Sequence, residues 1–139
     1  FHLPAASPDC RLLAVAESPI DALSLATLMK RAGNPWQDFH YLSLGGTAPR
    51  AMLQFLHDHP KVTKISLCLD NDKAGMDGME RLEQAVREDP ELSQRVKLIY
   101  HNPPKAEFGK DYNEMLCAQV QAARAWQQQQ QQRACAGAR

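Results

Sequence analysis

An α/β fold, with a four-stranded parallel sheet flanked by helices, is what the sequence predicts. Two observations carry this. Four short apolar runs alternate with stretches whose apolar residues recur at helical spacing, the pattern of a parallel sheet with right-handed crossovers. Each run also ends in turn, capping or acidic residues, which places the polar chemistry at strand ends.

The first strand is read over Leu12 to Ala16. Ser18 then stands as an N-cap, with Pro19 at the first helical position and Asp21 three residues after the cap. This helix runs to about Ala32 and stops at Gly33. The second strand is Tyr41 to Leu44, followed by Gly45-Gly46-Thr47. Pro49 opens a helix carrying Met52, Phe55 and Leu56. The third strand is Lys64 to Leu69, with Ile65, Leu67 and Leu69 on one face. Met79, Leu82 and Val86 mark the next helix, ended by Asp89-Pro90. Val96 to Tyr100 forms the fourth strand, Asn102-Pro103-Pro104 forces a turn, and a last helix begins near Asp111 with Tyr112, Met115, Leu116 and Val120 inward.

At 139 residues the chain is expected to be one domain, over residues 12–125. Residues 1–11, with two prolines, read as a lead-in or linker. Residues 126–139 contain the glutamine run and read as a disordered tail. Sixteen basic and sixteen acidic residues cancel, so nucleic-acid binding would need a local patch rather than a global field. Cys10, Cys68, Cys117 and Cys135 have no metal-ligand spacing and read as reduced thiols of a cytoplasmic protein. No apolar run is long enough to span a membrane, and no signal peptide is visible. The chain opens on Phe1, as expected of a piece of a longer polypeptide whose other domains are its partners.

Two acids one residue apart, Asp70 and Asp72, follow the third strand with Gly75 just beyond. Glu17 follows the first. Like charges so placed call for a cation between them, and a divalent metal held by oxygen ligands is the simplest. If Glu17 and the Asp70/Asp72 pair share a site, the first and third strands are neighbours. The strand order is then second, first, third, fourth, a compact Rossmann-like sheet whose carboxyl edge carries the ligand. Asp21 suits a capping box as well as a metal, and Asp111 suits an N-cap as well as a metal. Gly45 and Gly46 suit a tight turn first, and also an approach of backbone N–H groups to phosphate. Lys73, Lys110 and Arg50 are candidate phosphate contacts. His57, His59 and His101 read as solvated.

Other acid motifs fail on inspection. An EF-hand loop from Asp70 would want an oxygen ligand at Ala74 and a glutamate where Arg81 stands. A haloacid-type phosphatase would want a threonine near Ala74. The turn after Leu44 has no Gly-Lys-Ser/Thr of a P-loop.

The residues match a known family. Glu17-Ser18-Pro19-Ile20-Asp21-Ala22-Leu23 resembles the glutamate motif of Toprim domains, especially the primase form. Leu44-Gly45-Gly46-Thr47 resembles the glycine turn after their second strand. Asp70-Asn71-Asp72-Lys73-Ala74-Gly75 resembles their Asp-x-Asp-x-x-Gly motif, and Gly109 to Glu114 the late primase motif, with Asn113 in place of its second aspartate. The resemblance spans about Leu12 to Leu116 and is greatest to Toprim-like domains of plasmid and mobile-element proteins. It implies the compact Toprim fold and magnesium (or manganese) bound by Glu17, Asp70 and Asp72, with Asp21 and Asp111 as further ligands. Glu17 would also act as general acid or base. Gly45, Gly46, Lys73 and Lys110 are the implied phosphate or nucleic-acid contacts. The implied activity is nucleotidyl or phosphoryl transfer on nucleic acid (DNA, with an RNA primer or nucleotides), primase-like first. The alternatives are a nuclease or topoisomerase, or a non-catalytic DNA- or protein-binding module.

Overall fold

The structure, a computed structural model, describes residues 1–137. Its strands are β1 (His2–Leu3), β2 (Leu12–Ala16), β3 (His40–Ser43), β4 (Lys64–Leu67) and β5 (Leu98–His101). They form one sheet in the order β1-β3-β2-β4-β5. The four strands read from the sequence are all present, mutually parallel and in the expected order, with Val15 opposite both Leu42 and Leu67. The strand count is corrected from four to five. β1, inside the segment read as a lead-in, pairs antiparallel with β3 and places His2 opposite Leu42.

The helices are α1 (Pro19–Arg31), α2 (Arg50–Asp58), α3 (Lys73–Glu88), α4 (Leu92–Arg95) and α5 (Tyr112–Gly137). Alternation along β2 divides the core. Leu13 and Val15 join Met52, Leu56, Ile65, Leu67, Leu69, Met79, Leu82 and Val86, supplied by the sheet, the acid loop, α2 and α3. Ala14 and Ala16 point the other way, to Ala22 and Ala26 of α1 and Tyr41 of β3. Small residues on both partners let α1 lie close over β2, which sets the position of its N-terminus.

Some boundaries differ from expectation. β4 stops at Leu67, although the Cys68 N–H still reaches the Val15 carbonyl at 2.7 Å. β5 starts at Leu98 because the preceding residues form α4, which the Val96 N–H closes onto Leu92. α5 continues through the glutamine run to Gly137, where a disordered tail was expected, and its residues from Gln121 onward are exposed. Glutamine is a good helix former, and a helix already nucleated extends without needing new burial. The histidines are more engaged than expected. His59 stacks on Phe55 at 3.9 Å between ring centroids, His57 bridges Asp89 and Glu91, and His101 meets Glu83.

Arg95 ties α4 to the end of α2. It donates to the carbonyls of Leu56 at 2.6 Å, Val62 at 2.8 Å and His59 at 3.2 Å, with its side chain 15% exposed. A cation at a helix C-terminus complements both the free carbonyls and the dipole. Arg95→Met should cost about 2–3 kcal/mol of stability, since buried carbonyls lose a charged donor. Urea unfolding with an unchanged slope would check this, and a loss below about 0.5 kcal/mol would refute the role.

Candidate metal and nucleic-acid site

β2 ends at Ala16, so Glu17 falls at the carboxyl edge of the sheet, and the neighbouring parallel strand β4 delivers Asp70 to the same edge. Hydrogen bonds continue past the ladder here. The N–H groups of Leu44 and Gly46 donate to the carbonyls of Ala16 and Glu17 at 3.0 and 3.1 Å, which lays the glycine turn beside Glu17. On the other flank, the Asn71 N–H donates to the Lys110 carbonyl at 2.6 Å, and its side-chain amide to the Pro104 carbonyl at 3.0 Å. The segment after β5 is thereby bolted to the acid loop.

Three acids come together. Asp21, Asp70 and Asp111 each offer a carboxylate oxygen, and these oxygens lie within 4.8 Å of one another. Asp21 is buried at the start of α1. It accepts the Ser18 hydroxyl at 2.7 Å and the Asn113 N–H at 3.2 Å, while its own N–H donates to Ser18. Ser18 is the cap of α1, and the Asp21 carboxylate supports it through the hydroxyl while also belonging to the cluster. Asp111 likewise accepts the Glu114 N–H at 2.8 Å. The Asn113 carboxamide oxygen accepts the buried Ser24 hydroxyl at 3.3 Å, joining α5 to α1. This link spans 89 residues of sequence and left no local signal in it.

Asp72 is placed differently from the expected pairing with Asp70. It is the N-cap of α3: one oxygen accepts the Gly75 N–H at 2.7 Å, and the other lies 3.7 Å from the Lys110 ammonium. It is not one of the gathered trio, yet its charge still acts on Asp70 and Glu17. Gly75 is required by the close approach of α3 to the acid loop, because a Cβ there would lie 2.0 Å from the Asp70 carbonyl oxygen. Gly45 and Gly46 both have positive φ and are exposed in the turn. Lys73 and Lys110 are exposed at the rim, and Arg50 is exposed at the start of α2.

The electrostatics follow from this crowding. Asp70 is pushed up to about 7, first by burial and then by the charges of Glu17, Asp21, Asp111 and Asp72. Glu17 is also raised, by burial first, with Asp72 and Asp21 adding to it and the neighbouring Asp70 groups opposing it. Glu17 Oε1 is buried and has no hydrogen-bond partner. An orphaned carboxylate oxygen beside three gathered aspartates is a hard, oxygen-only donor set, and it fits a divalent cation.

The sequence matches the Toprim-like family over residues 14–116. The chain belongs to that family. Over an alignment of 79 residues it is 39% identical to the uncharacterized protein pXO2-78 of Bacillus anthracis, covering 52% of this chain and 22% of that protein. This Toprim-like chain thus spans less than a quarter of that relative's length. No solved structure matches it. Toprim domains in general bind divalent metals through acidic residues and process nucleic acid, and an acidic cluster of that kind is present here. Among the described residues, no helix is long and apolar enough to cross a membrane.

Asp70 makes stability depend on pH. Its carboxyl titrates near about 3.9 when unfolded and near about 7 when folded. The folded state therefore binds more protons between those values, and its stability falls as pH rises through them. In chelator, urea melts at pH 5 and pH 8 should show this fall in the wild type. Asp70→Asn should flatten it and be the more stable protein at pH 8; a slope equal to that of the wild type would contradict the assignment. At Asp72, Ala should cost about 1 kcal/mol as a lost cap and Asn far less, by the same melts.

Proposed function

We propose that this chain is the catalytic domain of a larger DNA-processing protein, performing magnesium-dependent nucleotidyl or phosphoryl transfer with primase-type synthesis ahead of cleavage. The observation that carries the reading is the convergence of Asp21, Asp70 and Asp111 beside the orphaned oxygen of Glu17. Asp21 and the Lys110-Asp111 pair are the features a topoisomerase-type domain need not share, and both aspartates stand next to Asp70, which favours the primase form.

In this reading Asp21, Asp70 and Asp111 hold magnesium, with manganese as a substitute. Bound there, the ion supplies charge neutralisation at phosphate and orients the attacking and leaving oxygens. The remaining chemistry belongs to the chain. Asp70 must surrender its proton to become a ligand, so metal affinity rises with pH up to about 7. Glu17, with a raised pKa and a free Oε1, is suited to take a proton from an attacking hydroxyl and return it to a leaving group. Asp72 is reassigned here to a supporting role, since it caps α3 and pairs with Lys110. Gly45, Gly46, Lys73 and Lys110 border the site as phosphate contacts.

Manganese titration by calorimetry separates these roles. Asp70→Asn should abolish binding at the site, and Asp21→Asn or Asp111→Asn should weaken it by about tenfold or more, the loss expected when one carboxylate leaves a small ligand set. Glu17→Gln should keep most of the affinity yet remove primer synthesis or strand cleavage from the full-length protein. Wild-type binding by Asp70→Asn would overturn the metal assignment. DNA binding without phosphodiester formation or cleavage, in a metal-loaded full-length protein, would overturn the catalytic reading in favour of a binding module.

A further inference from the structure

Arg81 lies on α3, on the exposed side, and sequence reading gave it no role. The guanidinium donates to the Thr47 hydroxyl at 2.9 Å. Asp77, one helical turn earlier, would be the ready i,i+4 partner for an arginine on a solvated helix face. Yet among the described residues no carboxylate lies within 4.0 Å of Arg81, whereas Arg87 and Arg95 each meet a glutamate on their own side of the fold. The Thr47 side chain lies against Gly78, where an added Cβ would come 3.0 Å from it. The residue before it, Gly46, is tied to the Glu17 carbonyl. An unneutralised guanidinium is therefore anchored by one of its five donors to the turn that borders Glu17, with its other donors toward solvent.

We propose that Arg81, positioned by Thr47, is a contact for the phosphate backbone of the nucleic acid on the glycine-turn flank of the acid site. Lys110 stands on the opposite flank, where it is partly neutralised by Asp72. A fork of parallel donors matches phosphate bidentately, and a planar group already held by Thr47 loses less freedom on binding than a lysine would. This contact also offsets the repulsion that the aspartates exert on a phosphate chain. The proposal rests on the reading of the chain as a nucleic-acid enzyme.

The test is fluorescence anisotropy of the full chain with a labelled single-stranded DNA of about 12 nucleotides, in magnesium, across a range of salt. Manganese titration and thermal melts run beside it. Arg81→Ala should weaken DNA binding by about fivefold or more and lower the salt slope by about one, with manganese affinity and melting temperature unchanged. Arg81→Lys should recover part of the affinity. Thr47→Val, which keeps the packing against Gly78 and removes the hydroxyl, should weaken binding less than Arg81→Ala does. If Arg81→Ala binds DNA as the wild type does, the proposal is wrong while the reading of the site survives. If Arg81→Ala loses melting temperature or manganese affinity along with DNA, Arg81 is a structural tether and the proposal is wrong. If the wild type binds manganese but no DNA in low salt, the nucleic-acid reading fails first and this inference falls with it.

Discussion

Like-charge repulsion at one sheet edge is the constraint that the rest of this structure answers. Two unit charges 4–5 Å apart repel by about 1 kcal/mol in water and by about 3–4 kcal/mol at an effective dielectric near 20. A neutral hydrogen bond returns a net of only about 1 kcal/mol. Donors alone therefore cannot make three adjoining aspartates comfortable, and the fold uses several devices together. Asp21 takes a hydroxyl and a backbone N–H, Asp111 takes a backbone N–H, and Asp72 caps α3 and faces Lys110. The remaining charge is met at Asp70, which holds its proton to near neutrality. A group that resolves its repulsion with a proton can resolve it with a cation instead.

The same constraint explains where the helices begin. α1 and α3 start within the acid loops, and the positive ends of their dipoles point toward the carboxylates. Getting α3 that close demands Gly75, since any Cβ would collide with the Asp70 carbonyl, and Gly78 admits the Thr47 side chain one turn later. On the other face, Ala14 and Ala16 against Ala22 and Ala26 set the depth of α1 and so the height of Asp21 over the edge. Small residues are placed where backbone must approach backbone, and bulk is kept to the α2 and α3 side of the sheet.

Much of this was legible in the sequence because it is local. Strand runs, the Ser18-Pro19 helix start and the glycine turn each carry their signal within a few residues, and parallel order followed once two strand ends were required to share a site. β1 was not legible: two residues beside Pro4 give no alternation to read, and only its pairing with β3 makes it a strand. The persistence of α5 was missed for the opposite reason, since glutamine propensity was outweighed by the lack of anything to bury. Within the site, adjacency in sequence was part of the pattern. Asp72 caps α3 while its charge still acts on Asp70, and Asp21 and Asp111 join Asp70 from distant parts of the sequence. Capping and metal holding seemed to compete at those two positions. Asp111 accepts the Glu114 N–H with one oxygen, whereas both oxygens of Asp21 accept hydrogen bonds; each carboxylate oxygen has a second lone pair for the cluster.

The order in which the site is completed follows from the chain path. Glu17, Asp21 and Asp70 are set by the central strands and α1. Asp111 belongs to the segment after β5 and reaches the cluster through the Asn71–Lys110 and Asn71–Pro104 bonds and the Ser24–Asn113 bond between α1 and α5. The first turns of α5 also pack broadly against α1, so the docking rests on more than these hydrogen bonds. An ion bridging Asp111 to Asp21 and Asp70 would stabilise the docked arrangement over the undocked one by its binding free energy. An ion at the cluster would therefore favour the docking of α5 on α1, because Asp111 immediately precedes that helix.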